Sequence, residues 1–162
     1  MSELVPYDFK EVLKDINIDY SKYSDREKIE IIEWYLRKNF DDISYELPIK
    51  NAVVGGIYER ELTIPQGVIV IGKVHTEPHK CFLRKGDLSV MTDDGIKRVQ
   101  APYSFDAPAN IKKIGLSHTE CVFSTYHEVN TENIKELEEK LFVDSDLSWV
   151  SNMIKDQIRL VA

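Results

Sequence analysis

The sequence lacks most of the features that would identify an activity at once. It contains only two cysteines, Cys81 and Cys121, far apart and without any C-x-x-C spacing. That excludes a zinc-finger or dithiol redox motif and predicts two buried, reduced thiols. Basic charge is in deficit, with 21 Lys and Arg against 28 Asp and Glu for a net charge of −7. A general nucleic-acid or anionic-membrane binder is thereby disfavoured, although a local basic pocket is compatible with the balance. No apolar run reaches the roughly 18 residues of a membrane span, and the opening MSELVPYDFK has neither the basic leader nor the apolar core of a signal peptide. The expectation is a cytoplasmic protein with no membrane or nucleic-acid partner. Internal repeats and low-complexity segments are also missing.

What is present is an ordinary globular composition, 43% hydrophobic and 30% charged over 162 residues, enough for one sizeable core. Residues 1–23 show no period and read as irregular chain. Ser24 and Glu27 form a capping-box pattern ahead of Ile29, Ile32, Leu36 and Phe40, which predicts an amphipathic helix over about residues 25–39, its apolar side widened by Trp34 and Tyr35. After Gly55-Gly56 the period changes to short strands: 58–65, 68–75, 81–84, 87–92, 96–101, 104–105, 110–116 and 120–127. Asp93-Asp94-Gly95 supplies a hairpin signal among them. Closely spaced short strands favour a sandwich or barrel. From Thr131 the pattern returns to helix, with Leu147, Val150, Ile154, Ile158 and Val161 striping a helix of about residues 146–160. The chain thus divides into an N-terminal segment (1–56), a β-barrel (57–128) and C-terminal helices (129–162).

The most informative stretch is GVIVIGKVHTEPHKCFLRKG, Gly67 to Gly86, which holds two of the four histidines. On an uninterrupted strand, Lys73 and His75 share one face with Ile69 and Ile71, so both point into the interior. Val68, Val70 and Val74 then face outward and need a helix or a second subunit to cover them, which predicts a homodimer. A straight strand would hold His75 and His79 roughly 13 Å apart, and Pro78 argues against a helix. A three-residue loop, Thr76 to Pro78, would instead make them cross-strand neighbours with Cβ atoms about 5 Å apart, near enough to share a metal.

The register Gly67, five residues, Lys73, one residue, His75, three residues, His79, six residues, Gly86 resembles the first motif of the cupin superfamily. In that motif two histidines and a glutamate occupy the places of Lys73, His75 and His79. The second motif is traceable in Pro108, Asn110, Lys113 and Ser117, with Lys113 where a histidine would stand. The run from Gly72 to His127, with GKVH, GIKRVQAPYSF and FSTYH, looks like the small single-domain cupins of tailed bacteriophages. The resemblance covers about residues 57–128. It implies a mainly β fold, a cupin-type jelly-roll barrel with flanking N- and C-terminal helices, a homodimer and, for a phage protein, the host cytoplasm.

On the last strand, period two places Cys121, Phe123, Thr125 and His127 on one face and Val122, Ser124 and Tyr126 on the other. Composition allows either face to point inward, and the resemblance implies the first. His75, His79 and His127 are then the candidate ligands of a divalent metal such as Zn, Fe, Mn or Ni, while Lys73, Tyr103 and Thr125 are the candidate ligand-binding residues. Lys113 reads equally as inside or outside, Arg84 is a weaker candidate, and His118 reads as a loop residue. Three function classes follow: a metal-dependent enzyme on a small molecule, a phosphorylated one included; a non-catalytic binding module for a small anionic or nucleotide ligand; or a structural or interaction protein with a degenerate site.

Overall fold

The computed structural model describes residues 14, 16, 18–39 and 47–161, with the side chains of residues 155–161 outside the description. Most of segment 1–23, Phe40, and the side chains of Ile158 and Val161 therefore lie outside the described residues.

Helix α1 (Asp25–Asn39) begins where the capping pattern predicts. The Ser24 N–H donates to Glu27 Oε1 (2.9 Å) and the Glu27 N–H donates to Ser24 Oγ (3.1 Å), which satisfies two donors that have no partner inside the helix. Eleven strands follow or intervene before the C-terminus: β1 (Ile49–Val54), β2 (Ile57–Ile64), β3 (Ile69–Ile71), β4 (Val74–His75), β5 (His79–Lys85), β6 (Asp87–Thr92), β7 (Gly95–Gln100), β8 (Tyr103–Ala107), β9 (Ile114–Ser117), β10 (Cys121–Glu128) and β11 (Phe142–Val143). Helix α2 (Ile134–Leu141) precedes β11, and α3 (Ser148–Val161) closes the chain.

The strands form a five-stranded sheet, β1-β2-β10-β5-β8, and a four-stranded sheet, β3-β9-β6-β7, with β4 and β11 paired separately. All pairings are antiparallel. From β2 onward the chain crosses between the two sheets at almost every link, returning to a neighbouring place only in the β6–β7 hairpin. That wrapping is a jelly roll of the cupin type. Strand β1 extends the barrel sheet beyond the predicted set. It joins β2 through Gly55-Gly56, both at positive φ (58° and 77°), the backbone that a two-residue hairpin loop requires.

Three apolar clusters hold the layers together. Inside the barrel, Ile64, Cys81, Leu83, Leu88, Val90, Cys121 and Phe123 are buried together, and both thiols are free as expected. Outside the second sheet, Ile29, Ile32 and Leu36 of α1 cover Met91, Ile114 and Leu116. Beneath α2, Leu137 and Leu141 pack on Tyr58 and Phe142. Helix α3 leans on α1: Trp149 Nε1 donates to Glu30 Oε2 (2.6 Å) and Trp34 Nε1 donates to Ser151 Oγ (2.8 Å).

The facing predicted for residues 68–73 is overturned, while His75 points inward as predicted. Val68 and Val70 pack into the barrel interior, whereas Ile69 and Ile71 pack beneath α1. The strand breaks at Gly72-Lys73 between β3 and β4. There the Gly72 N–H donates to the Lys113 carbonyl (2.9 Å), and a Cβ on Gly72 would meet that oxygen at 3.0 Å. The bend resets the side-chain parity, so His75 points inward although Ile71 points outward. Helix α1 covers the residues that do face outward, Ile69 and Ile71. Among the described residues no helix is long and apolar enough to cross a membrane.

Candidate metal centre

Each histidine enters the barrel from a different strand. His75 ends β4, His79 begins β5 and His127 lies near the end of β10. The predicted His75–His79 hairpin does not form. His75 pairs instead with Phe142 and bridges to Ile111, while His79 pairs with Ala107. The link through Glu77 and Pro78 is one of the crossings between sheets, so the two histidines approach across the barrel. Their rings nevertheless stack with centroids 4.4 Å apart, and His127 lies 4.5 Å from His79 and 5.3 Å from His75.

The three residues are 9%, 5% and 1% exposed, and one ligating nitrogen from each lies within 4.8 Å of the other two. His75 Nδ1 and His127 Nε2 are 3.3 Å apart, about the separation of two nitrogens bound at roughly 2.0–2.1 Å to one tetrahedral ion. The His79 Nδ1–H donates to the Glu77 carbonyl (2.9 Å), which leaves Nε2 as the lone-pair nitrogen. His127 Nδ1 is buried without a partner.

Burial, reinforced by Lys113, pushes the His79 imidazole down to about 3 and His127 to about 4, and holds His75 far below the usual range. The rings are therefore neutral at physiological pH, the state in which imidazole binds metals. Three convergent neutral nitrogens fit a transition-metal ion.

One further group sits among them. Lys113 Nζ lies 2.6 Å from His79 Nε2, and burial lowers the Lys113 ammonium pKa well below its ordinary value. Lys113, from the turn into β9, thus takes the interior place expected of Lys73. Lys73 itself is outside, with a 58% exposed side chain 3.6 Å from Asp144. This correction follows from the bend at Gly72. Tyr103 is not beside the histidines either; with Phe105 it borders a separate cavity of about 120 Å³. Thr125 is inside, 5% exposed, on the predicted face with His127. Arg84 is on the surface near Glu61, and His118 Nε2 lies 2.7 Å from Ser89 Oγ, away from the cluster.

Sequence reasoning missed Arg60, whose signal was available. In β2, Tyr58, Arg60, Leu62 and Ile64 alternate on one face, placing an arginine in an otherwise apolar row. Arg60 stands opposite Thr125 in the β2–β10 pairing, one layer below Tyr58 and His127. Its Cζ lies 4.6 Å from the centre of the Phe142 ring, which also covers His75.

No family model matches this chain, and no curated protein matches it. Solved structures align with part of the chain at low identity. A cupin superfamily protein from Desulfitobacterium hafniense aligns at TM-score 0.45 and 10% identity, over 54% of this chain and 83% of its own. An RmlC-like cupin with a double-stranded β-helix from Methanocaldococcus jannaschii aligns at TM-score 0.44 and 12% identity, over 57% of this chain and 86% of its own. An acetylacetone dioxygenase from Acinetobacter johnsonii aligns at TM-score 0.41 and 16% identity, over 49% of this chain and 58% of its own.

Proposed function

We propose that the barrel mouth holds one divalent transition-metal ion on His75, His79 and His127, and that the protein is a metal-dependent enzyme acting on a small molecule admitted to the barrel. The observation supporting this reading is the set of three buried, neutral imidazoles whose ligating nitrogens converge within 4.8 Å. Imidazole donors suit Zn, Fe or Ni, with Mn a weaker fit. Such an ion, when bound, would supply Lewis-acid activation of water or polarisation of a carbonyl or phosphoryl group, and a redox-active one such as Fe would add oxygen activation.

The chain's own residues prepare the place. The Glu77 carbonyl fixes the His79 tautomer. Phe142 packs on His75 with ring centroids 4.7 Å apart and screens it from water. Lys113 must leave His79 Nε2 for that nitrogen to act as a ligand, and its amine, with a pKa lowered by burial, can exchange a proton with a group bound beside it. His79 also borders a surface groove of about 780 Å³, while His75 borders an interior cavity, so the histidine layer stands between solvent and the barrel interior.

Elemental analysis after reconstitution tests the reading. About one equivalent of metal is expected in the wild-type protein and close to none in His79→Ala or His127→Ala. Equal metal content in all three would sink it. The 2.6 Å contact between Lys113 and His79 favours a second reading, a metal-free binding module. That reading predicts ligand binding by protein from which chelation removes no metal.

A further inference from the structure

Below the histidine layer lies a cavity of about 80 Å³. At the roughly 10–15 Å³ required by a water-sized occupant, it accommodates on the order of five to eight heavy atoms. Its walls are stacked in registered layers. The Tyr58–His127 pair is followed inward by Arg60–Thr125, and that by Leu62–Phe123. The deeper walls are apolar, with Leu62, Ile64, Val70, Leu88, Val90 and Phe123 facing the space.

The middle layer differs in kind. Arg60 and Lys113 both line the cavity, and no Asp or Glu does. Among the described residues no carboxylate forms an ion pair with Arg60. Thr125 lines the same space, 5% exposed, and its Oγ1 is buried with no hydrogen-bond partner. A buried hydroxyl left unpaired is unfavourable unless something completes it. Arg60, whose guanidinium lies over the Phe142 ring, and the orphan Thr125 hydroxyl paired across from it in the strand register line one space above an apolar floor with no carboxylate; a permanent cation and an unpaired hydroxyl there call for a planar anion on an aliphatic tail.

We propose that this cavity binds a short-chain monocarboxylate of about four to six carbons, its carboxylate accepting from Arg60 and Thr125 and its tail lying on the Leu62–Phe123 floor. The assignment rests on the reading of the barrel interior as the functional site, and it names that site's substrate or ligand class. Nucleotides and sugar phosphates do not suit it, because the floor offers their polar bodies no hydrogen-bonding groups and the space is too small.

The test is calorimetric titration of the full chain, after chelation and again after metal reconstitution, with acetate, butyrate, pentanoate, octanoate, butylamine and inorganic phosphate. Affinity is expected to rise about four-fold per methylene from acetate to pentanoate, to fall for octanoate, and to be undetectable for butylamine and phosphate. Thr125→Val should weaken pentanoate by about ten-fold or more while raising Tm, because the orphan hydroxyl is gone. A merely structural threonine would not produce that opposite pair. Arg60→Gln should abolish binding. Absence of pentanoate binding by the wild type in both states, or equal binding by wild type and Thr125→Val, overturns the proposal. Metal uptake without carboxylate binding overturns it and leaves the metal reading standing; pentanoate binding by a protein that takes up no metal supports it and removes the metal reading.

Discussion

Two buried lysines that are neighbours in sequence show how differently this barrel treats a charge on its two faces. Lys112, 1% exposed, points beneath α1, where its Nζ lies 2.8 Å from Glu33 Oε1 and 3.1 Å from the Gly72 carbonyl. Glu33 is held in turn by Arg37 at 2.8 Å. Lys113 points the other way, into the barrel, and meets neutral imidazole and thiol groups with no carboxylate among the cavity's lining residues. The first lysine is neutralised within the fold and ties helix to sheet. The second is left for whatever the barrel binds.

The largest expected effect breaks the paired side. Glu33→Ala strands Lys112 in an apolar layer and should destabilise the fold by about 3–5 kcal/mol in urea unfolding. Lys113→Met, which removes a buried amine that has His79 but no carboxylate as partner, should leave stability unchanged or higher. If the two variants lose stability equally, the contrast drawn between them fails.

A pH series sharpens the same contrast. The folded-state pKa values of His79 and His127 are pushed down to about 3 and about 4, below the ordinary 6.5. Between about pH 6.5 and 4 the unfolded chain therefore binds protons that the native chain does not. This stability is fully present above pH 6.5 and is lost as pH falls toward 4. The metal-free protein should lose roughly 1–3 kcal/mol across that window, and His127→Ala should show a shallower slope. A flat wild-type profile would mean that the histidine layer is hydrated and not buried.

A smaller effect concerns the metal. Since Lys113 competes for His79 Nε2, Lys113→Met should raise zinc affinity by about ten-fold, on the order of 1.4 kcal/mol. A fall measured by competitive chelation would instead place Lys113 among the ligands. The smallest effect is expected at Lys73. Lys73→Ala should alter stability by less than about 0.5 kcal/mol and leave metal content unchanged, as befits an exposed ion pair.

Much of the architecture was legible in the sequence because it rests on local rules. The Ser24–Glu27 capping pattern marks the start of α1, and period two on β10 groups Cys121, Phe123, Thr125 and His127 on one face, which composition left free to point either way and the structure buries. The jelly roll was implied by the resemblance that the Gly67-to-Gly86 register carries, and the three candidate histidines do come together. Tertiary structure decided which lysine enters the barrel, how His75 meets His79, and where β1, β11 and α3 pack. Strand alternation predicts a face only while the strand continues. At Gly72-Lys73 the backbone bends against the Lys113 carbonyl and the parity resets, so Lys73 is turned out and Lys113, from the distant segment leading into β9, takes the interior place. No property of Lys73 or Lys113 taken alone encodes that exchange, because it depends on a contact between segments far apart in the chain.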